Sequence, residues 1–195
     1  VIYNHPSRKD WQQQENAHDF TYWRNFSDAV IGFSGAPGHQ KIRSDKNGSY
    51  EFHSKTINGW DPSIENVGGE WDKLLQQGYK IWAARAGSDF HNTKMDYWPC
   101  QFSSTHLLAK SNEHNNVLAA FQSGAFWAQH GNFINQIDFK VLTTNNELNI
   151  GQQARAYRDE TISINLTVNF ASSPGIIISV PFASSTSPVT SVVLK

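Results

Sequence analysis

An α/β segment followed by a small antiparallel β-sandwich is the fold class this sequence predicts, on three observations. Short apolar runs near the start and middle of the chain end in histidine or in an acid–histidine pair, as barrel-like strands do when their ends carry chemistry. A stretch of helical period lies between two of those runs, and past residue 135 the pattern turns to polar–apolar alternation. The expected division is 1–135 for the α/β part and 136–195 for the sandwich.

The first run, Val1-Ile2-Tyr3-Asn4-His5-Pro6, reads as a strand that Pro6 stops directly after His5. Residues 28–34 read as a second strand, and Gly35-Ala36-Pro37-Gly38 as a turn delivering His39 into a loop. From there His39 either reaches substrate or metal, or bonds to loop backbone. Residues 40–68 are polar, with Tyr50, Phe52 and Trp60 among them, and read as a long loop over the strand ends. Its aromatics either stack on a sugar or base or pin the loop. Residues 70–77 follow a helical pattern, with Trp71, Leu74 and Leu75 on one face and Gly78 as the stop. Residues 80–84 then form a strand running into the corner Ser88-Asp89-Phe90-His91, where Ser88 is placed to orient Asp89.

After a loop over 92–99, residues 105–109 read as a strand and 112–122 as a helix ended by Gly124. The run 125–131 reads as a closing strand, with His130 either pointing inward or serving as a structural side chain. Alternation over 137–141, 161–168, 175–180 and 189–194 supplies the sandwich strands. No His or Cys follows residue 135, so this part reads as a support, docking or carbohydrate-binding module.

The chemistry concentrates at the corner. Positions i and i+2 of a strand point to the same side, so Asp89 and His91 face one ion together, the carboxylate as a hard oxygen ligand or bridging base and the imidazole as a nitrogen ligand. His5, at another strand end, is the expected third ligand. Taken singly, each of these groups is also met as a solvated strand-end side chain; the order of His-Pro, helix and Asp-x-His carries the metal reading. Arg8 and Arg85 either contact a phosphate or serve as surface and ion-pair groups.

Four segments carry a family likeness: Asn4-His5-Pro6-Ser7-Arg8, Phe33 to His39, Gly69 to Leu75 leading to Gly78, and Gly87-Ser88-Asp89-Phe90-His91. In them the chain resembles, over about residues 1–135, the second half of the PHP (polymerase and histidinol phosphatase) superfamily of metal-dependent phosphoesterases. The resemblance implies a partial, distorted (β/α)7 barrel with bound divalent ions, zinc, manganese or iron, activating water against a small phosphoester. Carried over residue by residue, His5, Asp89 and His91 match metal-ligand positions, with Asp89 also the catalytic residue; His39, Arg8 and Arg85 are assigned to substrate. The family opens with a His-x-His pair, and none of the eight histidines here forms one. Gly32 stands where a related strand often carries glutamate. The expectation is that an N-terminal fragment or a neighbouring chain completes the barrel and the ligand set, since the apolar run at residue 1 reads as an interior strand.

The composition narrows the remaining classes. With 38% hydrophobic and 13% aromatic residues the chain is globular. Sixteen basic against 17 acidic residues leave a net charge of -1 and no basic stripe, which argues against nucleic-acid binding. No apolar run is long enough to span a bilayer. Cys100 has no partner for a disulfide. The low charged fraction of 17% and the sequons at Asn25, Asn47 and Asn165 lean toward a secreted or extracytoplasmic protein. The competing class is a catalytically degenerate glycan-binding or assembly protein.

Overall fold

The computed structural model describes residues 1–4, 15–37, 60–88, 90, 93, 98–99, 103–130, 134–153, 155–157, 159–171 and 173–183. The chain divides into two compact units, Val1–His106 with Trp127–Asn132, and Leu107–Phe126 with Phe133–Lys195.

The first unit is built on a parallel three-stranded sheet in the order β1-β2-β3, with β1 at Ile2–Asn4, β2 at Gly32–Pro37 and β3 at Trp82–Gly87. Parallel neighbours need crossover connections. Helix α1 (Glu15–Phe26) lies between β1 and β2 in the chain; between β2 and β3 come α2 (Pro62–Glu65) and α3 (Glu70–Gln76). The core is aromatic and aliphatic: Phe20 of α1 is fully buried and meets Phe33 of β2 at 4.4 Å between ring centroids, while Trp71 and Leu74 of α3 are buried, as is Ile81. Trp71 Nε1 donates to the Ile81 carbonyl at 3.3 Å, which gives the indole its partner inside the packing. Helix α3 carries the apolar face expected for residues 70–77, and the Gly78 amide closes it on the Leu75 carbonyl.

Strand β2 is shifted from the expected 28–34 to 32–37, so Gly35, Ala36 and Pro37 are strand and not turn. Gly32 explains the shift. Its φ is +154°, and a Cβ there would stand 1.7 Å from the Trp82 carbonyl oxygen. Only a residue without a side chain lets the backbones of β2 and β3 meet at the start of their register.

Two further strands, β4 (Ser103–Leu107) and β5 (Phe126–His130), form a two-stranded sheet, with α4 (His114–Ser123) between them in sequence. The second unit holds α4, ended by Gly124 at φ 76°, and a four-stranded antiparallel sheet in the order β7-β6-β8-β9. Its strands are β6 (Ile134–Leu142), β7 (Glu147–Asn149), β8 (Thr161–Phe170) and β9 (Ser173–Ala183). In β8, Ile162 and Ile164 alternate with less buried neighbours, the period-two pattern of a sheet with one packed face. The strand expected over 189–194 lies outside the described residues.

This architecture corrects the expected fold class. No (β/α)7 barrel is formed: the described strands, nine against four helices, fall into three separate sheets, and β1 and β3 stand at the edges of theirs. Closure requires every strand to have a ladder on both sides. At Ala86 the outer edge of β3 is met by a side chain: the Thr105 hydroxyl accepts from the Ala86 amide at 2.8 Å and donates to the Ala86 carbonyl at 2.6 Å. The C-terminal strands make one sheet among the described residues and not the two faces of a sandwich.

Candidate functional site

The parallel sheet fixes where the expected site residues leave the fold. Asn4 of β1 pairs with Ser34 of β2, and Pro37 of β2 with Gly87 of β3, so all three strands run out at the same edge. His5 follows Asn4 directly, His39 comes two residues after Pro37, and Asp89 two residues after Gly87. In open parallel sheets ligands bind beyond the carboxyl ends of the strands, because loops there converge and helices begin. The lateral step from β1 to β3 is two strand spacings, about 10 Å. His5, Arg8, His39, Asp89 and His91 themselves lie outside the described residues, as does the side chain of Arg85, whose backbone pairs with Ser34. Among the described residues no group of three or more His, Cys, Asp or Glu side chains is placed to hold a metal ion.

Near that edge stands a carboxylate that the sequence reading passed over. Asp61 is fully buried; its amide donates to the Gly35 carbonyl of β2 at 2.8 Å, and its Oδ1 accepts from the Ser63 amide at 2.9 Å and the Ser63 hydroxyl at 2.5 Å. The run Asp61-Pro62-Ser63 is an N-cap followed by proline in the first helical position. Its chemistry is therefore that of a helix start anchored to β2, and it sits in the stretch the sequence analysis took as loop.

A second cluster forms on one face of β4 and β5. Ser104 and His106 are two residues apart on β4, and Trp127 and Gln129 two apart on β5, so each pair projects to one side of its strand. The imidazole of His106 lies flat on the indole of Trp127, with ring centroids 4.0 Å apart and planes within 4°. His106 Nε2 is 2.8 Å from the Gln129 amide nitrogen and 3.0 Å from Ser104 Oγ. An amide nitrogen only donates, so Nε2 accepts from Gln129, and Ser104 Oγ is a second polar neighbour of the same nitrogen. His106 is then neutral, with its proton on Nδ1. Burial pushes its pKa below the ordinary imidazole value, in the same direction. Ser104, Trp127 and Gln129 are buried, and His106 is half-buried.

No local pattern in the sequence singles out His106. The legible signal was the pair of i, i+2 spacings, Ser104-x-His106 and Trp127-x-Gln129, which acquire meaning only once β4 and β5 are adjacent. The Thr105 clasp on Ala86 ties this cluster to β3 three residues before Asp89. The chain matches no family model, no curated protein and no solved structure. No helix among the described residues is long and apolar enough to cross a membrane.

Proposed function

We propose that this chain is a metal-dependent hydrolase acting on small phosphoesters from the carboxyl edge of the β1-β2-β3 sheet. The observation that carries the reading is the shared direction of those three strands, which run out side by side just before His5, His39 and the Asp89–His91 pair. Two imidazoles and a carboxylate are the donor types that zinc, manganese or iron accepts, and three protein ligands leave a catalytic ion an open position. That donor chemistry fits the group. A bound divalent ion lowers the pKa of water and neutralises charge on phosphoryl oxygens. His5 and His91 would hold it, Asp89 would hold it or take the water's proton, and His39, Arg8 and Arg85 would orient the anionic substrate. Ser88, which is buried and precedes Asp89 in sequence, would orient the carboxylate. Further ligands from an N-terminal fragment or neighbouring chain would raise the metal affinity.

A second reading, a catalytically degenerate glycan-binding protein, draws support from one feature. Phe90 and Trp98 stack at 5.2 Å between centroids with planes 25° apart, and Trp98 is 56% exposed, an aromatic platform of the kind sugars lie on. Metal content after reconstitution with zinc, manganese or iron, together with hydrolysis of an aryl phosphate, separates the two. The hydrolase requires bound metal and an activity that Asp89→Ala abolishes. Metal-free protein that binds glycan and hydrolyses nothing overturns it.

A further inference from the structure

We infer that His106 presents Nδ1–H as a hydrogen-bond donor to an anionic oxygen, making the β4–β5 face a binding point for phosphate-like groups. As a contact to the substrate of the hydrolase proposed above, it rests on that reading; as an oxyanion site it is testable alone. The argument starts from the Gln129 amide, whose nitrogen stands 2.8 Å from Nε2 and has no lone pair to offer. Ser104 Oγ lies 3.0 Å from the same nitrogen. The Gln129 contact sets the tautomer, as a partner on one imidazole nitrogen decides the proton on the other. Nδ1 makes no hydrogen bond with any described residue, and the residue is partly exposed. Among the described residues, the hydrogen-bonding and stacking partners of the ring are Ser104, Gln129 and Trp127, all uncharged. Neutral, stacked and held on one edge, the imidazole offers a fixed dipole that needs no reorientation when an oxyanion arrives.

The Thr105 clasp adds location. It holds β4 against Ala86, one residue before the end of β3, while His106, the next residue along β4, projects to the opposite face of the strand.

Nitrogen chemical shifts of the histidines in the isotope-labelled full chain, assigned with a His106→Ala comparison, test this directly. The expected spectrum shows His106 neutral at pH 7 with the proton on Nδ1, and titration with inorganic phosphate moves the Nδ1 signal. In Gln129→Glu a carboxylate faces Nε2 and draws the proton of the neutral ring onto that nitrogen, so at a pH where the His106 of this variant is neutral the phosphate response is lost. His106→Ala should weaken phosphate binding by roughly tenfold or more, the loss of one hydrogen bond to a charged acceptor, and His106→Asn, which keeps a donor near the Nδ1 position, should retain most of it. A native spectrum with the proton on Nε2, or a His106 signal that phosphate does not move, overturns the inference without requiring any substitution to fold. A phosphate response in a protein that hydrolyses nothing refutes the hydrolase and leaves the His106 site standing; metal-dependent hydrolysis with an unresponsive His106 does the reverse.

Discussion

Replacing Gly32 by alanine tests the closest backbone approach in the first unit. The added Cβ would stand 1.7 Å from Trp82 O, 2.7 Å from Trp82 C and 2.8 Å from Trp82 N, all of them backbone atoms with no side-chain freedom to yield. To restore an ordinary carbon–oxygen contact, β2 and β3 must part by about 1.5 Å, which takes a ladder bond beyond the roughly 3.2 Å limit of useful N–H···O geometry. Losing the pairing of one register position costs about 2 kcal/mol once the unsatisfied groups are counted. The alanine at φ +154° adds about 1–2 kcal/mol of backbone strain. The total, about 3–4 kcal/mol, is a large share of the roughly 5–15 kcal/mol that holds a domain folded. With a urea slope of about 2 kcal/mol/M, the midpoint should fall by about 2 M. Tryptophan fluorescence is the right probe, because all seven tryptophans belong to the first unit. Gly68→Ala is the control: Gly68 also has positive φ, +75°, but nothing lies within 4 Å of its added Cβ, so its cost should stop at about 1 kcal/mol. Equal midpoints for the two variants would refute the assignment of Gly32 to close strand approach.

Other perturbations separate the remaining elements. Thr105→Val keeps the shape of the side chain but removes both bonds to Ala86, and should destabilise the first unit by about 2–3 kcal/mol in the same urea titration; an unchanged midpoint would mean that the clasp contributes nothing. Asp61→Ala removes the cap of α2 from a buried position and should cost about 2 kcal/mol, whereas Asp61→Asn, which keeps an acceptor for the Ser63 amide, should cost less. Glu160 accepts from the Tyr157 amide at 2.8 Å and the Thr144 amide at 2.6 Å, and these bonds hold its carboxyl below the ordinary glutamate value of 4.5. Its contribution to stability is therefore complete above that value and is lost as pH falls through the lowered one. Hydrogen exchange at the Thr144 and Tyr157 amides should be faster in Glu160→Gln than in the native chain at pH 6–7, and the two should converge near pH 3. A difference independent of pH would remove the carboxylate from the account. For His106 the sign is also acid-destabilising: burial disfavours the imidazolium in the fold, so stability drops as pH falls below 6.5, and His106→Asn should flatten that drop.

What could be read from the sequence follows the range of the forces involved. Helix α3 was legible because Trp71 and Leu74 face the core at helical spacing and Gly78 follows, all within one short window. Strands β6 and β8 were legible through alternation. Helix α1 was not: Phe20 is buried, but Tyr22, Trp23 and Phe26 are exposed, so its aromatics lie on more than one face and the helical period is blurred. The bounds of β2 depend on a backbone contact between Gly32 and Trp82, 50 positions apart, which no local pattern encodes. Barrel closure failed as an expectation for the same reason, since strand ends predict loops with chemistry but say nothing of which edges pair. His5, Arg8, His39, Asp89 and His91 were chosen as strand-end groups, and the described structure reaches to their neighbours Asn4, Pro37, Ser88 and Phe90.

The two clusters near β3 differ in what local sequence demands of them. Asp61 has a complete local explanation, since a capping acid, a proline and a serine account for its burial and its bonds to Ser63 without any ligand. His106 has none. A histidine kept only for packing on Trp127 would be served as well by an apolar ring, and Gln129 would not need its polar end buried against Nε2. A buried amide costs stability unless it is bonded, and here one of its bonds selects the tautomer with the proton on Nδ1. That arrangement is hard to account for as structure alone, and it lies on the strand that Thr105 holds to the end of β3, so the protonation state of one imidazole is the most direct measurement of whether this edge of the molecule is a binding site.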